Sequence, residues 1–153
     1  MAEAWENSAM PEARSPKSEV RSPQSGEPDV ASAVISFEDI HAWQKARTLV
    51  CEIYRTCNTD PLAKDWGLRN QISRAAVSVM SNIAEGFARK NDKEFARYLD
   101  IARASATEVQ SLLYVMLDIG YMHKERFTAL MALTRETLAL IGGFTNYLRG
   151  KKS

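Results

Sequence analysis

The sequence predicts an all-α fold: an antiparallel up-down-up-down four-helix bundle over residues 36–150, preceded by a disordered tail over residues 1–35. Three observations point there. From Phe37 onward, apolar residues recur at three- and four-residue steps in four separate runs, the period of one helix face. Four of the five prolines precede residue 34, so the rest of the chain is almost free of helix breakers. Two of the three breaks between the runs are very short, which favours antiparallel neighbours.

The tail holds Pro11, Pro16, Pro23 and Pro28 with serines between them. It has too little apolar material to offset the entropy of ordering. Arg14-Ser15-Pro16 and Arg21-Ser22-Pro23 repeat one tripeptide, which suits a solvated leader or, alternatively, a phosphorylation or partner motif.

The first helix is expected over Phe37 to Cys57. Ser36 suits its N-cap, with Asp39 near N3 and Glu38 beside it at the positive end of the helix. Its stripe is Ile40, Trp43, Ala46, Val50, Ile53 and Cys57. Asn58-Thr59-Asp60-Pro61 breaks it, and Pro61 to Gly67 is expected as a short helical turn capped by Asp60. The second helix is expected over Leu68 to Phe87, with Leu68, Ile72, Ala75, Val79, Ile83 and Phe87 inside. Asn91 and Glu94 fit a capping box that opens the third. Phe95, Leu99, Ala102, Ala106, Val109, Leu113 and Met116 then form a near-heptad seam, and Gly120 stops it. The fourth helix, His123 to Arg149, buries Phe127, Leu130, Thr134, Leu138, Ile141, Phe144 and Leu148. Gly142-Gly143 inside it costs about 1 kcal/mol per glycine, so the pair predicts close packing on a neighbouring backbone or a bend.

No enzyme site, metal site or cofactor is expected. The only histidines, His41 and His123, sit near helix starts, where capping or surface roles suffice. Cys51 and Cys57 lie six apart and face different ways on a helix, so neither a disulfide nor a CxxC zinc pair is expected, and buried filler is their reading. No glycine-rich phosphate loop follows a strand, and no paired Glu-x-x-His motifs suit a di-iron bundle. The first residues lack a basic and apolar signal pattern, and no run of about 18 apolar residues suggests a membrane span. A cytoplasmic setting with reduced thiols is the expectation.

What remains is a surface of unusual composition. Arg74, Ser78, Asn82 and Glu85 on the second helix, with Arg97, Arg103 and Glu108 on the third, replace the Lys/Glu mixture of an ordinary solvated face. Arg and Asn make directed hydrogen bonds, so these residues are candidates for an interface or an internal salt-bridge network. From Phe37 onward there are 17 basic and 13 acidic residues, an excess of +4. Arg69, Arg74, Arg89, Lys90, Lys93 and Arg97 are the candidate nucleic-acid contacts, expected around the turn between the second and third helices. Backbone-driven, salt-sensitive binding is the form this charge favours, because no aromatic is visibly interleaved for base stacking. Three functions stay open: a homo-oligomeric scaffold, a weak sequence-nonspecific nucleic-acid-binding module, and a small-molecule-binding bundle.

Several runs also resemble a known family. Phe37-Glu38-Asp39-Ile40-His41-Ala42-Trp43 resembles the opening motif of the 23S ribosomal RNA intervening-sequence proteins. The likeness continues through Gly67 to Ala76, Ser81 to Gly86, Glu94 to Arg103, and Glu108. It spans nearly all of Phe37 to Leu148. The resemblance implies a four-helix bundle, no established activity, and ring-shaped homopentamers. A related branch, accessory proteins of diversity-generating retroelements, implies a reverse transcriptase with RNA or DNA as partners. Two positions depart from the family pattern. Ser73-Arg74 stands where members often carry adjacent arginines, removing one charge, and Ala104 stands where a glycine is usual.

Overall fold

The computed structural model describes residues 34–151; the predicted tail and its Arg-Ser-Pro repeats lie almost wholly outside them. Four α-helices account for nearly all of the described chain: α1 His41–Cys57, α2 Trp66–Ala88, α3 Asp92–Asp118 and α4 Lys124–Gly150.

Local chemistry sets each boundary. Ser36 caps a short 3-10 turn, Phe37–Asp39, by a full capping box in which Asp39 answers back to the Ser36 backbone. Ile40 leaves helical geometry there, so α1 begins at His41, later than periodicity alone predicts. A second 3-10 turn, Leu62–Lys64, follows α1. Asp60 pairs with Lys64 across that turn at 2.9 Å instead of capping it. Asp65 caps α2 by accepting from the Leu68 amide at 3.0 Å, which starts the helix two residues earlier than expected. Asn91 caps α3 through the Glu94 amide, also at 3.0 Å. Gly120, at φ +77°, ends α3. Its amide donates to Leu117 O and the Tyr121 amide donates to Met116 O, the paired bonds of a Schellman stop.

Contacts join α1 to α2, α2 to α3, α3 to α4 and α4 back to α1, while the diagonal pairs stay apart. Cross-helix partners run in opposing order: Lys45 with Glu136 and Glu52 with Arg126, then Ser78 with Ser105 and Arg89 with Tyr98. That is antiparallel packing, and it confirms the all-α bundle.

The core falls into two clusters. Leu49, Ile53, Ile72, Val109, Leu113, Met116 and Leu130 anchor one. Trp43, Val79, Ile83, Phe95, Leu99 and Ile141 anchor the other. All seven residues of the predicted α3 seam are buried. On α1 the buried face is wider than the stripe: Leu49 is fully buried and Val50 only partly.

One expectation about α4 changes. The helix runs unbroken through Gly142-Gly143, and a Cβ at either glycine would meet nothing within 4 Å. The pair therefore supports neither a close contact within the subunit nor a bend. By length and composition α4 is also apolar enough to cross a membrane, although Arg135 and Glu136 interrupt it. Only 28% of its most apolar 18-residue stretch is buried in the bundle.

Candidate functional site

Helices α2 and α3 approach each other closely at Gly86. A Cβ there would lie 2.6 Å from Phe95 Cδ2 and 2.7 Å from Tyr98 Cβ. Lys90, in the left-handed region at φ 53°, supplies the αL turn that usually falls to glycine, and the chain reverses into Asn91. Along the seam, the Ser78 and Ser105 hydroxyls are 2.8 Å apart. Asn82 donates to Ser78 O at 2.8 Å and to its Oγ at 3.0 Å. Ser78 and Asn82 therefore belong to an internal network, but a hydroxyl–amide one. Arg74, Glu85, Arg97, Arg103 and Glu108 make no side-chain hydrogen bond or ion pair to another described residue. The salt-bridge alternative for these residues is thus not what the fold builds. Gly67, Gln71, Arg74, Ser78 and Glu108 instead border an open groove of about 470 Å³ between α2 and α3.

The candidate nucleic-acid residues separate into two places. Arg89, Lys90, Lys93 and Arg97 gather where α2 turns into α3. Arg69 sits one full helix away, since twenty residues of α2 span about 30 Å, and Arg74 lies on the same half. The single cluster expected around the turn is therefore corrected to a group of four. The antiparallel return of α4 adds two cations that sequence reading missed. Lys93, Arg97, Arg149 and Lys151 line a cleft of about 680 Å³ with Asp92 and Asp100. Arg149 pairs with Asp100, and Lys151 lies 3.7 Å from Asp92, so part of this charge is neutralised.

Aromatic rings also accompany the cations, contrary to the linear reading. The Arg69 guanidinium lies 5.3 Å from the Trp66 ring, and Trp66 is 75% exposed. Arg89 covers Tyr98 at 5.0 Å and Lys151 covers Tyr147 at 4.8 Å. Spacings of three, nine and four residues hid these pairs from a search for neighbours in the chain.

The strongest ionic cluster lies elsewhere, on the α1–α4 flank. Arg126 donates to Glu52 Oε2 at 2.9 Å, to the Glu52 carbonyl at 3.0 Å, and to Thr56 Oγ1. The Arg126 hydrogen bond, followed by that from Arg55 and the charges of both, outweighs partial burial and holds the Glu52 carboxyl below its ordinary range. A lowered folded value means stability that is present above the unfolded carboxylate pKa and is lost as pH falls through the folded one. Glu52→Gln is expected to cost about 1 kcal/mol near neutral pH. The difference from wild type should shrink in thermal melts as the medium is acidified below about pH 4. A gap that stays constant across that range would contradict the pairing. Tyr121 behaves in the opposite sense. Its hydroxyl donates to Asp65 Oδ2 at 3.1 Å, and that bond, with desolvation and the carboxylate charge, raises its pKa.

His41 and His123 are both exposed, and His123 occupies the N-cap position of α4 without a side-chain cap bond. Cys57 is buried, with Sγ 3.5 Å from Ser73 Oγ. Cys51 is exposed, so buried filler describes only one of the two thiols. Among the described residues, no three His, Cys, Asp or Glu side chains come together.

No curated protein matches the chain. Among solved structures, it is similar to a protein of unknown function from the S23 ribosomal protein family of Bacteroides thetaiotaomicron VPI-5482. The TM-score is 0.63 at 20% identity, covering 68% of this chain and 97% of that one. At that identity the likeness establishes the fold. The family model for the 23S rRNA-intervening sequence protein matches residues 38–143. That span includes the α1 motif, the α2–α3 seam and most of α4, and the chain belongs to the 23S rRNA-intervening sequence protein family.

Proposed function

We propose that the protein is a non-enzymatic scaffold that acts as a cytoplasmic homo-oligomer, a ring of five in the form its family resemblance implies. The observation that carries this reading is the outward side of α2–α3. Arg74, Glu85 and Glu108 have no ionic partner there among the described residues, and Ile101, Val115 and Ile119 on α3 are 41–50% exposed. Charges of both signs among exposed branched apolar residues suit a surface that meets another protein surface. The groups with shifted pKa values, Glu52, Lys64 and Tyr121, each belong to a structural pair within the bundle. Static and dynamic light scattering on the full chain is expected to give a mass several times 17.2 kDa, and five times that value for the ring. A stable monomer at micromolar concentration would sink the reading.

A second reading concerns what such a ring holds. Arg89, Lys90, Lys93 and Arg97 on every copy would repeat around it, so nucleic acid, alone or with a reverse transcriptase, is the partner this charge favours. Labelled RNA and DNA should bind at about 50 mM salt, with affinity falling steeply toward physiological salt. Absence of binding at low salt would leave a scaffold for proteins.

A further inference from the structure

Four polar side chains without a partner meet in one groove. Asn70, Gln71 and Arg74 on α2 and Glu108 on α3 border the open space of about 470 Å³, with Ala75 and Ser78 beside them. None of the four makes a side-chain hydrogen bond or ion pair to another described residue. Ser78 differs, because its hydroxyl is already engaged by Ser105 and Asn82. Arg74 and Glu108 bring opposite charges to the groove from two helices and still do not pair with each other. Elsewhere the bundle closes such pairs directly, as Glu52 with Arg126 and Lys45 with Glu136.

Gly67 forms one end of the same groove. A Cβ there would meet only Asp65 Oδ1, at 3.7 Å, an ordinary contact. Packing within the subunit therefore does not require this glycine, and helix propensity disfavours it. Its effect is to leave the groove open. Seven residues of α2, about 10 Å of helix rise, separate Gly67 from Arg74. On α3, Val115 stands seven residues beyond Glu108, on the same side of the helix, and is 41% exposed. Ser78 meets Ser105 and the two helices run antiparallel, so Gly67 and Val115 lie toward the same end. The groove thus has opposite charges at one end and a small, apolar wall at the other.

We propose that this groove binds a free α-amino acid with an apolar side chain. The carboxylate is held by the Arg74 guanidinium, whose planar fork matches it, with the Asn70 and Gln71 amides as further donors. The ammonium group is held by the Glu108 carboxylate. A zwitterion satisfies both charges at once, which neither an anion nor a cation can do. The side chain runs toward Gly67 and Val115, where a leucine-sized group has room. Every lining residue comes from one subunit, so the site does not depend on the oligomer reading.

The test is isothermal titration calorimetry on the full chain, in whatever assembly it forms. L-Leucine is expected to bind with Kd near about 1 mM or tighter, within what about nine non-hydrogen atoms can supply. 4-Methylpentanoate lacks the ammonium and 3-methylbutylamine lacks the carboxylate, so each should bind at least about 10-fold more weakly. Arg74→Gln and Glu108→Gln should each weaken leucine by a similar factor. Both positions are exposed, and far-UV circular dichroism should show an unchanged bundle. Gly67→Leu fills the groove without touching either charge. It should melt at or above wild type and lose leucine binding. No binding of leucine to wild type at about 10 mM would overturn the proposal and leave the scaffold reading intact. Equal binding of 4-methylpentanoate would overturn the zwitterion, and leucine binding that survives in Gly67→Leu would overturn the groove as its site.

Discussion

Leu113→Ala is expected to destabilise the bundle by about 2–5 kcal/mol. Leu113 is fully buried on α3, in the cluster that holds Leu49, Ile53, Met116 and Leu130. Truncation removes the apolar transfer energy and leaves a cavity among side chains from three other helical segments, which cannot collapse around it without shifting a helix. Domains of this size are stable by only about 5–15 kcal/mol. The loss is therefore a large fraction of the total and should lower the melting temperature by roughly 10–20 °C. Ser111→Ala, two residues away and exposed, should stay within about 0.5 kcal/mol. Urea titration with an unchanged m-value measures both. A cost below about 1 kcal/mol for Leu113→Ala would mean that the α3 seam is not the spine of the core.

Gly86→Ala carries the second large effect, and its sign opposes helix propensity. Alanine in a helix interior is favoured over glycine by about 1 kcal/mol. Here the added methyl would lie 2.6 Å from the ring of buried Phe95 and 2.7 Å from Tyr98 Cβ, an atom next to the α3 backbone. Neither is the free end of a flexible side chain, so α2 and α3 must separate. The net expected loss is about 1–3 kcal/mol. Gly142→Ala is the control. It should raise stability by up to about 1 kcal/mol, because the space outside that position is open and only the propensity gain applies. Melting of the three proteins side by side should order them Gly142→Ala, wild type, Gly86→Ala. A stabilised Gly86→Ala would show that the two helices stand farther apart.

These glycines also mark where the sequence was legible. Periodicity placed all seven of its α3 seam residues inside, since a long, regular, proline-free run admits one reading, but it left out Ala96, Ser105 and Leu112, which widen the buried face. It anticipated Ser36, Asn91 and Gly120 as boundary residues because their roles depend on atoms within four positions along the chain. Gly86, between Glu85 and Phe87, has nothing beside it in the chain that marks its role. Its importance depends on Phe95 and Tyr98 standing opposite, which only the packing of α2 on α3 decides. The same limit applied to the basic residues. Arg69 and Arg89 are both on α2, yet helix rise sets them a bundle's length apart, while Arg149 and Lys151 join Lys93 and Arg97 through tertiary structure. That last association could have been drawn from the antiparallel topology, which brings the end of α4 beside the start of α3. Ser73, where the chain departs from the family pattern, is 8% exposed, with its hydroxyl 3.5 Å from Cys57 Sγ.

The division of the core into two clusters has a consequence for how the molecule tolerates change. On α4 the boundary between them is held by Thr134 and Thr137, fully buried threonines whose hydroxyls turn back to the Leu130 and Leu133 carbonyls of their own helix. On α3 it passes between Ala106 and Val109. Leu99 and Leu113, although on one helix, therefore belong to different clusters. Substitutions in different halves should combine additively, whereas those within one half should couple. Lineages can therefore repack one end of such a bundle without renegotiating the other, so the surfaces at the two ends are free to diverge at different rates.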